Sequence, residues 1–174
     1  MNHTNRLLIA AACLALGACA SKVKPTPPAD NGQSSTSTTT GTTGSPIASD
    51  GKFRVEDLES DSCLRIRVVY FDFNDDTLRP EFQRVMACHA KYLRDRPEAR
   101  MTLEGNADER GTREYNLALG ERRGNAVSAA IVGDGAPAAQ ITVTSYGEER
   151  PTCADSTDEC WAKNRRVEIS YRAR

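Results

Sequence analysis

The densest run of polar side chains lies between Glu104 and Arg123, EGNADERGTREYNLALGERR. Within it, Asn116, Leu119 and Arg123 recur at helical spacing, so they share one stripe of a helix. Asp108 precedes that helix in a loop turned by Gly111. A carboxylate can hold an ammonium group, and an Arg fork grips a carboxylate in bidentate fashion. With an amide between the two, the matching ligand is an amino-acid zwitterion. The same residues also fit a structural Asp–Arg pair or a solvated charged face, and the pattern alone leaves these readings open.

Other chemistry is poorly provided for. No Gly-x-Ser-x-Gly elbow, Walker loop or His-Glu-x-x-His occurs. Asp108 and Glu109 are adjacent in sequence, an arrangement that rarely sets two carboxylates on either side of a glycosidic bond. His89 falls on the apolar face of a predicted helix, where a core role is expected. These features predict a protein that is not an enzyme and needs no cofactor. The net charge of −1 gives no basic stripe for nucleic acid, and 6% aromatics give no stacking platform.

Those candidate residues need elements to position them. Leu64 to Phe73 alternates and is β-branched and aromatic, which predicts a strand. Pro80 suits the first turn of a helix, with Phe82, Val85, Met86, His89 and Leu93 on its apolar face. Met101 to Gly105 reads as a second strand. A second helix fits Thr112 to Val132, with Tyr115, Leu119, Ala126, Ala130 and Ile131 inward, and Gly133 to Pro137 break it. Ile141 to Tyr146 and Arg166 to Tyr171 supply two more strands around a polar loop. The order βαβαββ predicts an α/β fold of two layers, two main helices on a four-stranded mixed sheet.

The N-terminal third has a different character. Arg6, the apolar Leu7 to Leu16 and the small Gly17-Ala18 read as a signal peptide over residues 1–18. Leu16-Gly17-Ala18-Cys19 resembles a bacterial lipobox, with Cys19 lipidated (palmitate among its acyl chains) as the mature N-terminus. Several acyl chains anchor stably where one does not. Ala20, where bacterial lipoproteins kept in the inner membrane commonly have Asp, resembles an outer-membrane address. Between Asn31 and Asp50, eleven of twenty residues are Ser or Thr. Residues 19–52 are thus expected to form a lipidated N-terminus and disordered tether, and 53–174 the folded head. A tether of 33 residues would reach roughly 110 Å when stretched.

Beyond the signal peptide and Cys19, four cysteines remain, Cys63, Cys88, Cys153 and Cys160, an even number suited to an oxidising compartment. Cys153–Cys160 is the preferred local disulfide, which leaves Cys63–Cys88 to join the first strand to the first helix. Sequence does not set connectivity. Zinc is the rival reading, although no Cys-x-x-Cys spacing is present.

Several motifs, in order, resemble one family. They are Tyr70-Phe71-Asp72-Phe73, Glu104-Gly105-Asn106-Ala107-Asp108-Glu109-Arg110-Gly111-Thr112, Glu114-Tyr115-Asn116 and Leu119-Gly120-Glu121-Arg122-Arg123. Ser145-Tyr146-Gly147-Glu148-Glu149-Arg150-Pro151 and Lys163-Asn164-Arg165-Arg166-Val167-Glu168 continue the series. Together they resemble the OmpA-like peptidoglycan-binding domains.

The resemblance implies noncovalent binding of the peptidoglycan stem peptide through meso-diaminopimelate, with Asp108 and Arg123 holding its free end. It further implies pocket roles for Asn116 and Leu119, a bordering role for Asp72, and a place for Arg165 near the pocket. With the lipobox, it implies an outer-membrane protein on the periplasmic side that partners TolB and other Tol proteins in envelope integrity and division. Rival readings are a peptidoglycan-cleaving enzyme and an OmpA-like wall-binding lipoprotein without Tol partners. Two departures stand out: Arg113 where Pro is frequent, and the cysteine pair at 153 and 160. Asp108→Asn and Arg123→Ala are both expected to lose wall binding without unfolding.

Overall fold

The structure is a computed structural model that describes residues 50–172. The signal peptide, Cys19 and nearly all of the expected tether lie outside the described residues. The head contains four helices, α1 (Asp57–Ser60), α2 (Gln83–Asp95), α3 (Arg113–Gly133) and α4 (Asp158–Asn164). Its strands are β1 (Val68–Tyr70), β2 (Arg100–Asn106), β3 (Ile141–Gly147) and β4 (Arg166–Arg172). They form one sheet in the order β1-β4-β2-β3. β2 and β3 run parallel, and β4 runs antiparallel to both β1 and β2. A parallel pair needs a crossover between its strands, and α3 is that crossover.

The register makes the sheet amphipathic. Met101 lies opposite Tyr171, Leu103 opposite Ile169, and Gly105 opposite Val167, so these six residues share a face. On the other face Thr102 meets Ser170 and Glu104 meets Glu168, a polar surface left to solvent. Both main helices cover the apolar face. From α2, Tyr92 packs edge-on against Tyr171 with ring centroids 4.9 Å apart. From α3, the Gly120 backbone lies against Gly105, where an added Cβ would sit 1.9 Å from the Gly120 oxygen. The result is the expected two-layer α/β fold, and it brings the N-terminal half of α3 onto the C-terminal end of β2.

Three local readings differ from the sequence expectation. β1 is three residues rather than the whole of Leu64 to Phe73, because Asp61 captures the chain first. Its Oδ1 accepts the N–H groups of Cys63 at 2.9 Å and Leu64 at 3.0 Å, a turn that competes with extended pairing. Tyr115, expected inward, is exposed, while Val127 supplies the buried contact. The polar loop before β4 contains α4, capped by Thr157, whose hydroxyl accepts from Cys160 N at 3.3 Å. Seven residues hold too few turns for a periodic signal to register. Pro80 does open the first main helix, through a 3₁₀ turn over Pro80–Phe82.

Two disulfides staple the head, Cys63–Cys88 and Cys153–Cys160. The first joins the turn before β1 to α2, and the second closes the segment leading into α4. Asp155 lies beside Cys153 and Cys160, but both sulfurs are spent on each other and offer no thiolate for zinc. His89 is fully buried in the core. The Ile66 carbonyl can only accept, so His89 Nε2 donates to it at 3.0 Å and Nδ1 accepts the Tyr171 hydroxyl at 2.8 Å.

Candidate functional site

Where β2 ends, the chain turns through Ala107–Gly111, with Gly111 at a φ of 123° that side chains rarely tolerate. Thr112 then caps α3 by accepting the Tyr115 N–H at 3.2 Å. This sharp entry sets Asp108 beside the stripe of α3 that carries Asn116, Leu119 and Arg123. Asp108 is only 4% exposed. Its Oδ1 accepts from the backbone N–H and Nε of Arg110, and its Oδ2 from Nη2 of Arg110 and Nη1 of Arg165. Burial works against ionisation, and the Arg110 and Arg165 hydrogen bonds outweigh it. The Asp108 carboxyl is therefore held below its ordinary range.

Arg123 is fully buried, an unusual position for a guanidinium. Its Nε donates to the Asp75 carbonyl at 2.8 Å, Nη1 to Asn106 at 2.9 Å and Nη2 to Asp72 at 3.0 Å. Its Cζ also lies 5.3 Å from the Phe71 ring centroid. Burial, helped by the neighbouring Arg165 charge, pulls its pKa down to about 10, so it stays protonated at neutral pH. Among the described residues no carboxylate pairs directly with it; three backbone carbonyls satisfy it instead. Two of these carbonyls belong to the loop after β1, so Arg123 pins that loop onto α3. Arg122 adds an ion pair to Asp76 at 2.7 Å, and the Tyr115 hydroxyl donates to Asn74, which has a φ of 55°.

The pinned loop, the turn after β2 and α3 enclose a cavity of about 300 Å³. Five residues singled out from sequence line it: Asp108, Asn116, Leu119, Arg123 and Arg165. Asp72 does not line it; its side chain is exposed and its part is to offer a carbonyl to Arg123. Asn106 likewise stands behind the cavity, its Nδ2 donating to the Glu104 carbonyl at 2.9 Å and its own carbonyl receiving Arg123. Asn116 is oriented by donating to Glu148. Arg165 donates through Nε to the Phe71 carbonyl at 3.1 Å. Arg113, the departure from the usual Pro, is exposed and ion-paired with Glu149.

Sequence reasoning missed the other wall. Phe73, Asn74, Arg110, Gly111 and Tyr115 also line the cavity. The Arg110 guanidinium lies against two aromatic rings, its Cζ 3.9 Å from the Phe73 centroid and 4.2 Å from that of Trp161. Glu109 braces Trp161 by accepting its indole N–H at 3.0 Å and the Ser156 hydroxyl at 2.6 Å. The only hint in sequence was an Arg two residues after Asp108. Its aromatic partners come from distant segments that only the fold brings together.

This fold and cavity define the class. The chain belongs to the OmpA family, whose sequence model matches residues 70–165. Within it, the chain is similar to the peptidoglycan-associated lipoprotein of Pseudomonas putida, at 48% identity over 113 residues, 64% of this chain and 68% of that one. The peptidoglycan-associated lipoprotein of Haemophilus influenzae is 36% identical over 165 residues, 95% of each chain. The crystal structure of the peptidoglycan-associated lipoprotein from Burkholderia pseudomallei superposes with a TM-score of 0.64 at 40% identity, covering 67% of this chain and 97% of that chain. No helix among the described residues is long and apolar enough to cross a membrane.

Proposed function

We propose that this protein binds peptidoglycan noncovalently through the meso-diaminopimelate of the stem peptide, as a lipoprotein held in the outer membrane by acyl chains on Cys19. The observation that carries the reading is one small cavity lined by a buried carboxylate, Asp108, and the guanidiniums of Arg110, Arg123 and Arg165. Diaminopimelate presents an ammonium and a carboxylate on one carbon, and this set of charges has a partner for each. Leu119 adds an apolar surface for the methylene chain between its two ends. The relatives named above for peptidoglycan association and lipid attachment support the same reading.

In this role the protein has no catalytic residue, and the wall itself is the ligand. The resemblance extends the proposal to the Tol system, with TolB as a partner and envelope integrity and cell division as the process. Calorimetric titration with a stem peptide ending in meso-diaminopimelate is expected to give saturable binding, preferred over the lysine peptide. Asp108→Asn keeps the shape and removes the charge, and is expected to weaken binding by roughly 2–5 kcal/mol. Equal binding of both peptides, or full affinity in Asp108→Asn, would remove diaminopimelate from the reading. Release of soluble muropeptides by the protein would favour a cleaving enzyme instead.

A further inference from the structure

Asp108 has no acceptor left for a ligand. A carboxylate offers about four lone-pair sites. Asp108 already receives hydrogen bonds from Arg110 N and Nε, both at 3.2 Å, from Arg110 Nη2 at 2.7 Å and from Arg165 Nη1 at 3.2 Å. An incoming ammonium can therefore reach this carboxylate only by replacing a guanidinium. Arg165 is poorly placed to leave, since its side chain is 14% exposed and its Nε is committed to the Phe71 carbonyl. Arg110 is 31% exposed, and its guanidinium has Asp108 as its hydrogen-bond partner.

We infer that Arg110 is a specificity-determining residue, a built-in cation on Asp108 that the ligand ammonium displaces and the ligand carboxylate then captures. The inference rests on the zwitterion reading of the cavity. Its physical content is an exchange of ion pairs. A ligand bearing only an ammonium breaks the Arg110–Asp108 pair and leaves Arg110 without a partner. One bearing only a carboxylate leaves that pair closed. A ligand with both groups on one carbon replaces one pair with two, so the site responds to the combination rather than to either charge.

The aromatic contacts make the exchange local. The Phe73 and Trp161 ring centroids lie 3.9 and 4.2 Å from the guanidinium carbon, so cation–π attraction holds Arg110 at the cavity while its hydrogen bonds are exchanged. The Trp161 wall is fixed by its hydrogen bond to Glu109, and it follows directly on Cys160 of the local disulfide. That disulfide segment is thereby part of the support for the ligand site.

The test is calorimetric titration of the full chain with two stem peptides identical except for a terminal meso-diaminopimelate or lysine. In Arg110→Gln the preference for diaminopimelate is expected to fall by about tenfold or more, through weaker diaminopimelate binding with lysine binding kept or improved. Arg110→Lys, which keeps the charge and loses the fork, is expected to fall between. Trp161→Ala, which opens one wall of the slot, is expected to lower the preference in the same direction. An unchanged preference in Arg110→Gln overturns the inference even if both affinities drop, because a common loss reports support of the site rather than selection. Failure of the unmodified protein to bind the diaminopimelate peptide overturns the proposed function itself, so the two failures are distinct.

Discussion

Arg123 joins the ligand site to the fold, and that changes how its removal will read. Three carbonyls lose their donor in Arg123→Ala, two in the loop after β1 and one at the end of β2, the Asn106 bond buried and the Asp72 and Asp75 bonds partly so. Sequence alone suggested loss of binding without unfolding; the structure instead predicts a loss of about 3 kcal/mol or more in urea unfolding, together with loss of binding. Asp108→Asn is the cleaner probe of the ligand, since its amide keeps an oxygen acceptor in place. His89 makes a second prediction at this scale. Burial lowers its pKa to about 4 from an ordinary 6.5. Between those values the unfolded chain takes up a proton that the folded chain refuses, so stability falls as pH drops from 6.5 towards 4 and levels off below. The full effect is about 3 kcal/mol. Chemical denaturation at a series of pH values should show that slope, and His89→Gln should flatten it.

Among the elements, the contact of α3 on β2 governs the geometry of the cavity, because it decides where Asp108 and Arg123 meet. Gly105 and Gly120 allow that contact, and a Cβ on Gly105 would fall 1.9 Å from the Gly120 oxygen, far inside van der Waals contact. Gly105→Ala must push helix and strand apart, and a loss of about 3 kcal/mol in thermal or urea unfolding is expected. Much at this scale was legible in sequence. Val85, Met86, His89 and Leu93 gave α2 its buried stripe, and the helix read from Thr112 begins within a residue of α3. The stripe of Asn116, Leu119 and Arg123 was legible for the same reason, since a helix keeps its spacing wherever it packs. Asp61, which ends β1 early by side-chain hydrogen bonds, was not legible through periodicity. The Arg110 slot was not legible either, because Phe73 and Trp161 stand 37 and 51 residues away from Arg110 and meet it only through the sheet order β1-β4-β2.

For the whole molecule, the proposal divides the work between a head that grips and an N-terminal segment that spans. The cavity is built entirely from residues 73–165, so ligand affinity should be indifferent to what precedes the head. Reach should not be. Residues 31–50 offer little apolar side chain beyond Pro46, Ile47 and Ala48, and their proposed role is length. Deleting those twenty residues leaves 13 of the proposed 33-residue tether, shortening its maximal span from roughly 110 Å to about 45 Å. The deleted protein is expected to keep the thermal midpoint of the full chain and to bind isolated sacculi with unchanged affinity. In cells, where head and acyl chains must engage wall and membrane together, it is expected to crosslink less to peptidoglycan, because a linker too short for its gap removes simultaneous engagement without touching either site. Restoring the length with an unrelated Gly/Ser sequence should restore the crosslinking. If it does not, the native segment contributes a contact of its own, and residues 31–50 would have to be treated as a binding element rather than a spacer.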